Sequence, residues 1–148
     1  MASEKFTGTW RLVACEGQWS DGRVTYPYGK EPVGMLIYDG QGHFSGQISD
    51  TGRPEFASGN LLKGSPEELK SAFEGYVAYY GGYEVDEVKG HMTHRVEGSF
   101  FPNWVGQEQT RLFEFQGDKL RLSTLPIKGS RANLTVVLLW ERAAEGPA

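Results

Sequence analysis

Two side chains stand out for the chemistry they could do inside a folded core, Arg111 and His94. In the run Lys119 to Thr124, Leu120 and Leu122 alternate with Lys119 and Arg121, so at strand spacing the leucines face inward. Across a short turn Phe113 and Phe115 share a face, and period two puts Arg111 and Gln109 on that same inner face. In His91 to Gly98 the set His91, Thr93, Arg95 and Glu97 is wholly polar and must face water, which leaves Met92, His94 and Val96 inside. An interior arginine beside an interior histidine can fix a carboxylate, enolate or carbonyl oxygen. The ligand's body would then rest on Trp10, Leu12, Met92, Phe113 and Phe115. On the first strand Trp10, Leu12 and Ala14 lead by parity to Glu16, inside or at the rim, and Tyr26 and Tyr38 are wall candidates. Plainer roles stay open: Arg111 could pair with Glu16 or a backbone carbonyl, and His94 could be a hydrogen-bonded core residue.

Other chemistries fit the sequence poorly. His91 and His94 look like a metal-ligand pair, but residues three apart on a strand point to opposite faces and cannot chelate one ion. His43 is the remaining histidine, so neither a metal nor a cofactor is expected. The lone cysteine, Cys15, has outward parity, and no Gly-x-Ser-x-Gly elbow occurs. Glycine-rich segments read as turns rather than phosphate cradles. The net charge is −4 with the signs interspersed, and no Lys/Arg cluster exists to follow a nucleic-acid backbone. The longest apolar stretch, Val136 to Trp140, falls well short of the roughly 18 residues that a membrane span needs.

The elements that must position these residues are mostly short strands. The chain has 148 residues, 13% of them aromatic, with 20 glycines, a mixture that suits one curved sheet in one domain. Runs with period two cover Thr9 to Glu16, Arg23 to Tyr28, Gly34 to Tyr38, His43 to Ile48, Tyr83 to Asp86, His91 to Gly98, Gln109 to Phe115, Lys119 to Thr124 and Leu134 to Glu141. Glycine-containing turns join most neighbours, so an all-β, eight- to nine-stranded antiparallel up-and-down barrel is the economical arrangement. Ser65-Pro66-Glu67-Glu68 carries an N-cap serine, a first-turn proline and a capping-box glutamate. Leu69, Phe73, Tyr76, Val77 and Tyr80 then follow at helical spacing up to Gly81-Gly82, which predicts one amphipathic helix over 66–80. The stretch from Asp50 to Gly64 lacks a period and reads as a long loop, a lid or binding segment. Phe100-Phe101-Pro102-Asn103-Trp104 is an apolar connection, either a plug or a gate tipped by Trp104. In the last strand Val137 and Leu139 oppose Leu138 and Trp140, so both faces need cover, from the helix or from a second copy; a monomer or homodimer follows. The tail after Arg142 reads as frayed.

Gly8-Thr9-Trp10 opening the first strand, with Trp140-Glu141-Arg142 closing the last, resembles the lipocalin and calycin barrels, where the arginine packs across that tryptophan at the closed end. The whole chain is similar to the small bacterial and fungal lipocalin-like domain family. The resemblance rests on Gly8-Thr9-Trp10-Arg11-Leu12, Val33-Gly34-Met35-Leu36-Ile37-Tyr38, Phe101-Pro102-Asn103-Trp104-Val105-Gly106 and Leu139-Trp140-Glu141-Arg142. It departs from secreted lipocalins in its mid-chain helix and in a start, Met-Ala-Ser-Glu-Lys-Phe, that has no export signal; with one cysteine, a cytoplasmic protein is expected. The resemblance implies a barrel that encloses a small apolar or amphipathic, oxygen-bearing or anionic molecule. Relatives associated with secondary metabolism keep an alternative open, a cofactor-independent isomerase or cyclase with His94 as acid/base and Arg111 stabilising an oxyanion.

Overall fold

The computed structural model describes residues 2–145; of the tail read as frayed, 146–148 lie outside the described residues. Among the described residues ten strands form: β1 (Gly8–Trp19), β2 (Val24–Thr25), β3 (Val33–Tyr38), β4 (His43–Ser49), β5 (Tyr76–Asp86), β6 (His91–Ser99), β7 (Glu108–Gln116), β8 (Lys119–Thr124), β9 (Ile127–Lys128) and β10 (Asn133–Arg142). Helices α1 (Ala2–Phe6) and α2 (Pro66–Glu74) and a 3₁₀ turn at Pro102–Trp104 complete the elements. Eight strands pair in the order β1-β3-β4-β5-β6-β7-β8-β10, and β10 closes back on β1. The short β2 and β9 add to β1 and β10. This is the closed antiparallel barrel that the alternation predicts, since closing the sheet leaves no exposed edge in the wall.

Three differences from the sequence reading bear on the site. The helix ends at Glu74, not at residue 80. Its capping box is present, with Ser65 Oγ accepting from the Glu68 amide and the Glu68 carboxylate accepting from the Ser65 amide, and Gly75 caps its other end. Beyond Gly75, Tyr76 to Asp86 is a strand paired on both sides, by β4 and by β6. Two hydrogen-bonded neighbours outweigh a helical period that α2 does not need, because its Leu69 and Phe73 stay half exposed. Gly81 is required there by close approach: a Cβ would sit 1.8 Å from the Arg95 carbonyl oxygen.

The second difference is a bulge in β1. Leu12 faces Trp140 and Ala14 faces Leu139 across the closing pair, so Val13 is the extra residue. One extra residue reverses parity for the rest of the strand. Cys15 therefore points inward, buried, whereas Glu16 lies on the outer face with Ala14 and Val137. The third difference concerns cover. α2 packs near β5 rather than over β10, and Val137 and Leu139 instead line a shallow outer depression with Gln18, Gln116 and Arg121.

The floor of the barrel is packed solid. Phe6, at the end of α1, is wholly buried and meets Tyr38, Phe113 and Phe115 edge-on at 5.5, 5.0 and 4.9 Å between ring centroids. Trp10 Nε1 donates to the Phe6 carbonyl at 2.8 Å. Arg142 lies 4.2 Å over the Trp10 ring and donates to the carbonyl oxygens of Thr7 (2.6 Å) and Lys5. That is the tryptophan–arginine closure the two chain ends suggest, with a phenylalanine plug added.

Candidate functional site

Above this floor the barrel is hollow. A cavity of about 510 Å³ opens at the other end. Its walls are apolar and aromatic: Tyr28, Ile48, Val77, Tyr79, Val136 and Leu138, with Leu125, Pro126 and Ile127 at the turn after β8. Alternation supplies them strand by strand, since Val77 and Tyr79 on β5 and Val136 and Leu138 on β10 are inward neighbours two apart. Polar groups gather on one wall, where β7 contributes Gln109, Thr110 and Arg111.

Arg111 is half buried and held from its own strand. Its guanidinium donates to Gln109 Oε1 at 2.9 Å and to the Thr110 carbonyl at 3.3 Å. Among the described residues no carboxylate pairs with it. Glu16, the partner considered from the sequence, lies outside the wall and accepts from Gln18 instead. The cation therefore faces the cavity with donor capacity to spare.

Beneath Arg111 sits a small chamber of about 20 Å³, lined by Leu36, Gly46, Gln47, Ile48, Tyr79, His94, Arg111, Leu122, Leu138 and Trp140. Ile48, Tyr79, Arg111 and Leu138 also line the larger cavity, so the two spaces share a wall. His94 is 1% exposed, and its ring stacks on Phe44 at 4.2 Å between centroids. Tyr38 Oη and His94 Nε2 are 2.8 Å apart. Burial pushes the Tyr38 hydroxyl well above the usual phenol range, so it keeps its proton. That proton has no other acceptor among the described residues, so Tyr38 donates to Nε2 and the imidazole proton resides on Nδ1. Burial, and then the charge of Arg111, push His94 down to about 3, which keeps the ring neutral near pH 7. Among the described residues its Nδ1 has no partner, and neither does Trp140 Nε1.

The remaining sequence candidates divide clearly. Trp104 and Gln109 line the cavity with Arg111. Trp10, Leu12, Met92, Phe113 and Phe115, expected as cavity wall, lie instead in the packed core beneath it, because Phe6 fills the space they would have bounded. Tyr38 is buried against His94 and lines neither space. Tyr26 is 42% exposed, since the second strand shrinks to Val24–Thr25, and Tyr28 takes the wall position. No residue of 51–64 lines the cavity; that loop is tied to α2 and its flanks through Arg53, which donates to the Ala72 carbonyl and Ser49 Oγ. The 100–106 connection does reach it, with Trp104 edge-on to Tyr79 and Phe100 at 5.5 and 5.6 Å.

Several lining residues escaped the sequence reading. Cys15 was hidden by the bulge, and Val77 and Tyr79 by the helical spacing; a stop at Gly75 was the one available signal for those two. The Cys15 thiol is pushed up to about 11 by burial and the nearby Glu16 charge, so it is a wall atom rather than a nucleophile. A second depression, about 360 Å³, lies outside the barrel beside α2 and is bordered by charged side chains including Asp50, Arg53, Glu67 and Lys70.

A 4'-hydroxy-3'-methoxypropiophenone carrier protein of Aspergillus oryzae is 33% identical over 105 residues, covering 66% of this chain and 95% of its own. A solved lipocalin-like protein from Bacteroides uniformis aligns over 94% of this chain and 99% of its own, at 13% identity and a TM-score of 0.47. The lipocalin-like domain matches residues 7–143. With the whole barrel inside that match, the chain belongs to the lipocalin-like domain family.

Proposed function

We propose that this barrel binds a small, oxygen-bearing aromatic molecule in its cavity and carries it without chemical change. The observation that carries the reading is Arg111, a cation with no carboxylate partner among the described residues on the wall of a mostly apolar cavity. Such a group favours a ligand oxygen, and the faces of Tyr28, Tyr79 and Trp104 favour a ring. The similar Aspergillus protein, named as the carrier of a phenolic aryl ketone, supports the same ligand class. Acid–base turnover by His94 is less well supported. The ring is stacked on Phe44 with Nε2 engaged by Tyr38, and with its pKa pushed down to about 3 it has little affinity for a proton.

The test is a titration with 4'-hydroxy-3'-methoxypropiophenone, read by quenching of Trp104, with Trp104→Phe to identify the signal. Saturable binding with unchanged ligand recovered afterwards is the expected result. Recovery of an isomerised or cyclised product would replace the carrier reading with an enzyme.

A further inference from the structure

The chamber under Arg111 has a chemistry of its own. Two of its lining side chains hold polar atoms without a partner among the described residues, His94 Nδ1 and Trp140 Nε1, and both residues are almost wholly buried, at 1% and 3% exposure. An indole nitrogen can only donate. The imidazole, with Nε2 accepting from Tyr38, offers Nδ1–H, also a donor. Arg111 adds a third set of donors and a positive charge. No carboxylate lines the chamber; the rest of its lining is Leu36, Ile48, Leu122 and Leu138 with Tyr79, Gly46 and Gln47, the last with its side-chain oxygen on the exposed face accepting from Tyr76. Buried donors left unsatisfied cost about 1–3 kcal/mol each, so a site that gathers them is built around an acceptor. The chamber's 20 Å³ matches one oxygen-sized group, since about 10–15 Å³ is the least that holds a water. A carboxylate, with two oxygens splayed on one carbon, is too broad for it.

We infer that this chamber seats one acceptor oxygen of the ligand, a ketone, aldehyde or phenolate oxygen, against His94, Trp140 and Arg111, and that it selects such ligands over carboxylates. This rests on the cavity being a ligand site as proposed above. A resident water is the competing occupant, but it would bring two protons of its own to a chamber already crowded with donors.

Three phenyl compounds separate the possibilities: propiophenone, propylbenzene and benzoate. They are titrated into the intact protein while Trp104 fluorescence and the ¹H–¹⁵N signals of the Trp140 indole and His94 imidazole are followed. Propylbenzene is the more apolar of the first two, so burial alone would favour it. The expected result is that propiophenone binds about tenfold more tightly than either of the others, a 1.4 kcal/mol preference. It alone should move the Trp140 Nε1–H and His94 Nδ1–H signals downfield. Trp140→Phe should abolish the preference; the wild-type signals decide the matter should that variant not fold. Equal affinities for propiophenone and propylbenzene, tight benzoate binding, or Trp140 and His94 signals indifferent to the ketone would each overturn the inference while leaving cavity binding intact. No response of Trp104 to any of the three would overturn the binding reading itself, and this inference with it.

Discussion

The two ends of this barrel are made from the same strands and differ in nearly everything else. At the closed end the inward side chains are large and a phenylalanine from outside the wall fills what they leave. Its polar atoms are paired: Trp10 Nε1 with the Phe6 carbonyl, and Arg142 with the carbonyls of Lys5 and Thr7. At the open end the inward residues bound a 510 Å³ void, and in the small chamber between void and floor His94 Nδ1 and Trp140 Nε1 have no partner among the described residues. The wall is continuous between them, so strand pairing alone does not decide which end is core and which is site. What decides it is whether something plugs the cylinder. One end carries stability and the other recognition, and that separation can be attacked directly.

The largest effect should come from the closed end. Trp10→Ala removes the ring that Arg142 covers and that anchors Phe6, and should destabilise the fold by about 3–5 kcal/mol in urea unfolding. The protein that remains folded should bind its ligand with nearly unchanged affinity; a large loss there would join the two ends and break the comparison. Arg111→Leu should do the reverse. Affinity for a ketone-bearing probe, measured by calorimetry, should fall by about 2 kcal/mol. Stability should hold or rise, since the substitution removes a half-buried cation with no carboxylate partner.

Acid should act between the ends, through His94. Its folded pKa of about 3 lies below the ordinary histidine value, so below about pH 6.5 the unfolded chain takes a proton that the native barrel refuses. Stability from this residue is thus fully present above pH 6.5 and drains away as the pH falls toward 3. Between pH 7 and pH 5 the loss should be about 2 kcal/mol by chemical denaturation. His94→Phe, which keeps the stacking on Phe44, should flatten that slope. A wild-type slope no steeper than the variant's would mean that the ring is hydrated or protonated in the native state. The smallest effect belongs to neither end. Ser65→Ala removes the N-cap of α2 and should cost about 1 kcal/mol with no change in binding, because the helix lies outside the barrel.

Much of the fold was legible because strand alternation is a local signal with a physical cause. Leu120 and Leu122 against Lys119 and Arg121, or Met92 and His94 against His91 and Thr93, declare their faces within six residues. Arg111 and His94 were placed inside on that ground, and inside is where they lie. The failures share a different cause. The bulge at Val13 leaves no mark in residue type, yet it exchanges Glu16 for Cys15 on the inner face. The run from Tyr76 fits a helix and a strand equally until its neighbours are known, and pairing with β4 and β6 settles it. Phe6 precedes the first strand and has no period to read, so the plug, and with it the depth of the cavity, was invisible. Parity tells which side of a wall a residue faces; it does not tell how high along the cylinder the packing stops.

The pairing of β1 with β10 has a consequence for how the barrel is made. Every other neighbour pair in the wall joins strands close in sequence, but this one joins the first strand to the last, and Arg142 bonds to Thr7 across 135 positions. During synthesis β1 emerges before the rest of the barrel and must wait with one edge unpaired until β10 has followed. Long-range closures of this kind slow folding, because loop entropy is lost before the contact returns anything. An open sheet with bare edges is the species most prone to join another chain in the interval. Loosening the Arg142 latch should therefore show first in the yield of soluble protein during refolding, before any change in the folded barrel can be measured.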